Sequence, residues 1–207
     1  MQIINYLSLP TDKKITKTKN ALELHGINTI VAQNALDVKK IISKLIPHGS
    51  EVMTATSTTL DQLGISKDIN EGDKFDPIKS KLMKMDRNTQ SLEMQKLGAA
   101  PDYVIGSVHA VTEDGKVVIA SGSGSQLPAY SYGAPHVIWV VSTKKIVKNL
   151  DAAIERIYNH ILPLEDQRIK KVYGPNAGSS VNKLLIINNE MNPNRITLIF
   201  VKEDLGF

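Results

Sequence analysis

The chain has 207 residues, 42% hydrophobic and 22% charged, the balance of a globular protein with one sizeable core. It contains no cysteine, which excludes disulfides, thiolate nucleophiles, iron–sulfur ligation and cysteine-held zinc within the chain. A net charge of +4 suits anionic small molecules and is too small to point to nucleic acid, and no apolar run approaches the ~18 residues of a membrane span.

The opening MQIINYLSLPTDKK carries no basic leader before a long apolar run, so no secretory signal is expected. The lack of cysteine fits a reducing, cytoplasmic compartment. TKTKNALELHG, residues 16–26, predicts a helix ending at Gly26, and NTIVAQN a short strand. Asn34 caps the next helix, with Asp37 three residues on, and Val38, Ile41, Ile42 and Leu45 form its apolar stripe. EVMTAT (51–56) is a strand that leads directly into STTLDQLG. Asp76-Pro77 reads as a cap followed by a first-turn proline, and a further helix covers about residues 89–98.

DYVIGSVHAV (102–111) reads as one buried strand. Asp114-Gly115 is a hairpin turn whose two central residues require positive φ, and KVVIAS is the returning strand. HVIWVVS (136–142) is a further apolar, β-branched strand. NLDAAIERIYNHIL is the most regular helix, capped by Asn149 and stopped by Pro163. Leu150, Ala153, Ile154, Ile157 and Ile161 share its apolar face. KLLIINN and RITLIFV, joined by EMNPN, predict an antiparallel hairpin. Alternating helix and strand in the first half argues for a covered parallel sheet, and the turns add antiparallel strands. The expected fold is α/β, a mixed and mainly parallel sheet covered by helices with a C-terminal β-hairpin. It forms one domain over 1–207, with residues 1–50 packed on it as an N-terminal region.

Three stretches could carry chemistry. In TATSTTLDQLG, small hydroxyl residues stand where a strand gives way to a helix. Ser57, Thr58 and Thr59 there either receive an anion or, with Thr58 and Asp61 at capping-box spacing, only cap the turn. In ASGSGSQLPAYS, Gly122, Ser123, Gly124 and Ser125 form either a nest of backbone amides around an anion or a plain connector. Glu113 is either the candidate acid/base or nucleophile or a solvated glutamate beside the hairpin turn; its neighbour Asp114 points to the opposite strand face and is explained by the turn. His109, in the strand feeding Glu113, is a candidate helper or a structural histidine. The five histidines form no metal-ligand pattern, and there is no Walker lysine, GxSxG or Rossmann GxGxxG. Lys79, Lys81, Lys84 and Arg87 are spread along one expected helix and read either as its solvated face or as a binding patch.

TSTTLDQLGI, DYVIGSVHAVTEDGKVVIASGSGSQLPA, GAPHVIWVVSTKKIVKNLDAAIERI, PLEDQR and KEDLGF, in order from about Glu51 to Phe207, resemble the LUD family, the domain of lactate-utilisation proteins. The resemblance implies a fold like that of the pentose-phosphate isomerase and CoA-transferase superfamily. It implies a cytoplasmic protein linked to oxidation of L-lactate to pyruvate, often beside iron–sulfur subunits. In that superfold Ser57–Thr59 and Gly122–Ser125 would converge on one pocket for a carboxylate, phosphate or CoA-type anion, and Glu113 would lie near the acidic residue of CoA-transferase-like relatives. The alternative is a non-catalytic partner or regulatory subunit of an iron–sulfur lactate-oxidising assembly. The resemblance specifies no cofactor, and a homodimer is compatible with it. Many relatives carry a cysteine-rich run before the last strands. Here that region reads KKVYGPNAGSSVNKL, so a metal or redox role of those cysteines does not carry over.

Overall fold

The computed structural model describes residues 6–207. The first five residues, where the reading of the leader begins, lie outside the described residues. Two sheets organise the chain. Strands β1 (Asn28–Ala32), β2 (Glu51–Thr54), β3 (Asp76–Pro77), β4 (Tyr103–Gly106), β7 (His136–Ser142) and β10 (Ile196–Val201) form a six-stranded sheet in the order β1-β10-β7-β4-β2-β3. Every pairing in it is parallel. Strands β5 (Ala110–Thr112), β6 (Val117–Ser121), β8 (Ile146–Val147) and β9 (Lys183–Ile187) form a four-stranded mixed sheet in the order β8-β5-β6-β9.

The apolar runs follow from this layering. Successive side chains of a strand face opposite ways, so a sheet covered on both faces needs an unbroken apolar sequence. In β7, Val137, Trp139 and Val141 enter one core while Ile138 and Val140 enter another. The second core is closed by helices α2 (Ala35–Leu45), α3 (Thr58–Gln62) and α4 (Ile65–Asn70), through Val38, Ile42, Leu60 and Ile69. The first lies between the two sheets and takes in Ile15 and Leu22 of α1 (Asp12–Leu24) and Val111, Val117 and Ile119 of the smaller sheet. The outer face of the smaller sheet packs on α7 (Leu150–Arg156), through Ala153, and on Ile157 and Ile161 of the turn after it. Two short helices, α5 (Ile78–Leu82) and α6 (Ser91–Ala99), follow β3 and lead into β4.

The α/β class and the mainly parallel covered sheet are as the sequence implies, and Asn34 and Asn149 cap α2 and α7 through their side-chain oxygens. Several local expectations are corrected. β9 and β10 do not pair with each other: β9 runs antiparallel to β6, whereas β10 inserts between β1 and β7. The central slot of the parallel sheet buries all of Ile196–Val201, a larger gain than an isolated hairpin provides. Pro163 does not end the helix. A wide turn over Ile157–Ile161, in which the Leu162 N–H reaches Ile157 O, places Pro163 in the first turn of α8 (Leu162–Tyr173), where its missing N–H costs nothing. Pro77 stands just before α5, and Asp76-Pro77 is an edge strand beside β2. In the β5–β6 connection only Gly115 takes positive φ, 87°. The loop is longer than a two-residue turn, closed by Gly115 N–H to Thr112 O at 2.9 Å and by Thr112 N–H to Lys116 O at 2.9 Å.

Candidate functional site

The stretch read as one strand over residues 102–111 is divided. β4 ends in the large sheet at Gly106, and β5 begins in the small sheet at Ala110. A Cβ on Gly106 would lie 1.8 Å from the Tyr130 hydroxyl oxygen and 3.0 Å from the Ala55 Cβ, so only glycine lets the chain pass there. The neighbouring strand makes the same crossing: β7 leaves the large sheet at Ser142, turns through Thr143–Lys145 and joins β5 as β8. The two links, 107–109 and 143–145, lie beyond the carboxyl ends of parallel strands, the usual place for ligands in open α/β sheets. They carry Ser107, His109 and Lys145.

A cleft of about 1350 Å³ opens at this seam. It exceeds the usual range of ligand pockets, so a three-carbon acid would fill only part of it. Ser57, Thr58 and Thr59 line it, as do Gly122, Ser123, Gly124 and Ser125. The N-cap of α3 is Ser57, whose Oγ accepts from Leu60 N–H at 3.3 Å, rather than Thr58. Within the glycine–serine loop the Gly124 N–H is donated to Ser121 Oγ at 2.9 Å and the Ser125 N–H to Ser123 Oγ at 3.3 Å. The N–H groups of Gly122 and Ser123 meet no acceptor among the described residues.

His109 is half-buried in the cleft wall. Its Nδ1 accepts from Ala120 N–H at 3.1 Å, so the ring proton sits on Nε2. Burial, reinforced by the charges of Lys145 and Arg156, pushes its pKa down to about 3, and the ring is neutral at pH 7. Glu113 does not line the cleft. Its carboxylate pairs with Lys17 at 2.9 Å and Lys14 at 3.0 Å, tying the β5–β6 loop to α1, and the Lys17 hydrogen bond, with help from Lys14, holds its pKa below the usual carboxylate value.

Sequence reasoning did not single out three further contributors. The segment Gly178–Asn182 returns to line the cleft, held by Ser179 N–H to Asp166 Oδ1 at 2.9 Å. Arg168 of α8 lines it while engaged by Glu165 through two 2.7 Å bonds. Lys145 is 5% exposed; its Nζ donates to Ser107 Oγ at 3.1 Å and to Thr59 Oγ1 and Val108 O at 3.2 Å, with no carboxylate side chain paired to it among the described residues. The one sequence signal was its setting, two lysines between the apolar runs HVIWVV and IV. Among the described residues, the basic side chains of the lining are Lys79, Arg87, Lys96, Lys145 and Arg168, five against one acidic side chain, Glu165.

The family model of the LUD domain matches residues 15–201, reaching nearer the N-terminus than the motifs that begin at about Glu51. The chain belongs to the LUD domain family. Membership supports a lactate-utilisation-type protein. No curated protein sequence matches this LUD-domain chain. It is similar in fold to the crystal structure of a DUF162 family protein from Deinococcus radiodurans, with 11% identity and a TM-score of 0.58 over 94% of this chain and 99% of that one. No helix among the described residues is long and apolar enough to cross a membrane, and none of their side chains form a metal-ligating group of three or more His, Cys, Asp or Glu.

Proposed function

We propose that this LUD-domain protein binds an organic anion of carboxylate, phosphate or CoA type in the cleft, between Ser57–Thr59 and Gly122–Ser125, as part of organic-acid utilisation between L-lactate and pyruvate. The observation that carries the reading is the charge of the lining, in which Lys79, Arg87, Lys96, Lys145 and Arg168 face one carboxylate. A cleft lined by one sign of charge concentrates the opposite ion. Hydroxyl geometry supports it too. Thr59 Oγ1 and Ser107 Oγ accept from Lys145, and Ser57 Oγ accepts from Leu60 N–H, so each keeps its own O–H to offer a guest oxygen. The N–H groups of Gly122 and Ser123 add two donors across the cleft.

The size of the cleft favours a guest larger than lactate alone. Met53, Leu82, Met83, Met85, Leu92 and Met94 make one side apolar and adaptable, suited to the body of a molecule whose anionic end meets the hydroxyls.

Calorimetric titration with pyruvate, L-lactate, inorganic phosphate and coenzyme A checks the reading. At least one should bind, more weakly as salt is raised. Thr59→Val should weaken that binding roughly tenfold or more, the value of a hydrogen bond to a charged group. Four flat titrations would refute it.

A further inference from the structure

Lys145 has a chemistry that anion binding does not use. Adjacent lysines on one turn are treated in opposite ways. Lys144 Nζ is paired with the Asp204 carboxylate and donates to Gly206 O at 2.8 Å. Among the described residues, Lys145 Nζ donates to two hydroxyls and a carbonyl. The charged and titratable groups around it are Lys144 on its own turn, Arg156 on α7 and His109 on the neighbouring link; Asp204 is engaged by Lys144, and Glu165 on α8 by Arg168. Arg156 is fully buried behind the link, with NH1 donating to His109 O at 3.1 Å. The chain after β10 folds over the same spot. A Cβ on Gly206 would stand 2.3 Å from Thr59 Oγ1 and 3.2 Å from Lys145 Nζ, so glycine alone is admitted there.

From this geometry we infer that Lys145 is a nucleophilic amine that forms an imine with the carbonyl of a 2-oxo acid held in the cleft. The inference rests on the anion-binding reading above: the carboxylate of the acid takes the hydroxyl and amide donors, and the ketone faces Nζ. A carbonyl beside a carboxylate is the ligand that uses both features of the site. Burial, then the charges of Arg156 and Lys144, lowers the Lys145 pKa to about 7, so much of the amine carries a free lone pair at neutral pH. That lone pair adds to the carbonyl carbon while the C=O π electrons move to oxygen, which is protonated to give a carbinolamine. Loss of that oxygen as water leaves the iminium, so amine, ketone and one proton give iminium and one water. His109 Nε2–H, neutral and on the cleft wall, is placed to donate a hydrogen bond to the oxygen as its charge grows.

The test treats the full chain with pyruvate and sodium cyanoborohydride, which reduces an iminium to a stable secondary amine, and maps the product by peptide mass spectrometry. Pyruvate binding without reductant is measured in parallel by calorimetry. The adduct should accumulate on Lys145 ahead of exposed lysines such as Lys13 and Lys84, saturate with pyruvate, and form several-fold faster at about pH 8 than at about pH 6, because the amine loses its proton near 7. Lys145→Arg should abolish it while circular dichroism reports a folded chain; should that variant unfold, the pH profile of the wild-type Lys145 adduct still decides. Pyruvate binding without an adduct at Lys145 overturns the imine and leaves the anion site standing. Absence of both overturns both. Labelling confined to exposed lysines also overturns the imine.

Discussion

The two ends of the parallel sheet each hold a buried cation and treat it differently. At the amino end, Arg195 precedes β10 and is paired and hydrogen-bonded through all three nitrogens: NH1 meets the Glu190 carboxylate at 2.7 Å, Nε the Ala134 carbonyl at 2.9 Å, and NH2 the carbonyls of Tyr130 at 3.0 Å and Ala129 at 3.1 Å. Those carbonyls belong to the wide turn Ala129–Gly133 and the entry to β7, so the guanidinium fastens the loop below the sheet. At the carboxyl end, Lys145 has three neutral oxygens and a cleft. A buried charge that is paired and fully hydrogen-bonded is part of the scaffold; one left without a counter-charge raises the energy of its ionised form and is available to a guest.

The largest effect should come from breaking the amino end. Arg195→Ala leaves the partly buried Glu190 carboxylate without its cation and the Tyr130 and Ala134 carbonyls without the donors that the guanidinium supplies. It should cost about 3–5 kcal/mol of stability in urea unfolding. A loss below about 1 kcal/mol would make the two ends alike and remove the contrast.

The next effect sharpens the carboxyl end through pH. Lys145 has a pKa of about 7 in the folded chain against an ordinary 10.5. Between those values the unfolded chain holds a proton that the folded chain has released, so wild-type stability should rise with pH through that window, by at most about 1.4 kcal/mol per unit. Lys145→Met should lack that rise. Urea midpoints of both proteins at several pH values above 7 measure the difference, and parallel curves would mean that Lys145 is not the strained group.

The smallest effect concerns Glu113. Its partners Lys14 and Lys17 have side chains 34% and 65% exposed, and pairs of this kind contribute about 0–1 kcal/mol. Glu113→Gln should lower stability by no more than that and leave anion affinity in the cleft unchanged when measured by titration. A large loss of affinity would join the β5–β6 loop to the site and redraw its boundary.

How much of this was legible depends on the range of the interactions involved. Ser57–Thr59 and Gly122–Ser125 stand out because hydroxyl and glycine residues at strand ends have a local meaning, and the structure brings both to one cleft. Gly178–Asn182 and Arg168 carry no such mark: a polar loop and an ion-paired helix face read the same wherever they lie. Glu113 drew attention through its neighbours in sequence, while its partners lie 96 and 99 residues away on α1.

Sequence alone determined the elements that local forces control: the unbroken apolar run of β7, the Asn34 and Asn149 caps, the β5–β6 hairpin, and through them an α/β chain whose ordered motifs carry the LUD resemblance. Tertiary structure decided which strands share a sheet. The parting of β9 from β10, and the passage of 107–109 and 143–145 from one sheet to the other, depend on which edges are free and which slots bury the most apolar surface. Lys145 becomes chemically distinct from Lys144 by the same cause. They are adjacent in sequence and their side chains are identical and equally buried, and only the packing around the seam leaves one of them without a counter-charge.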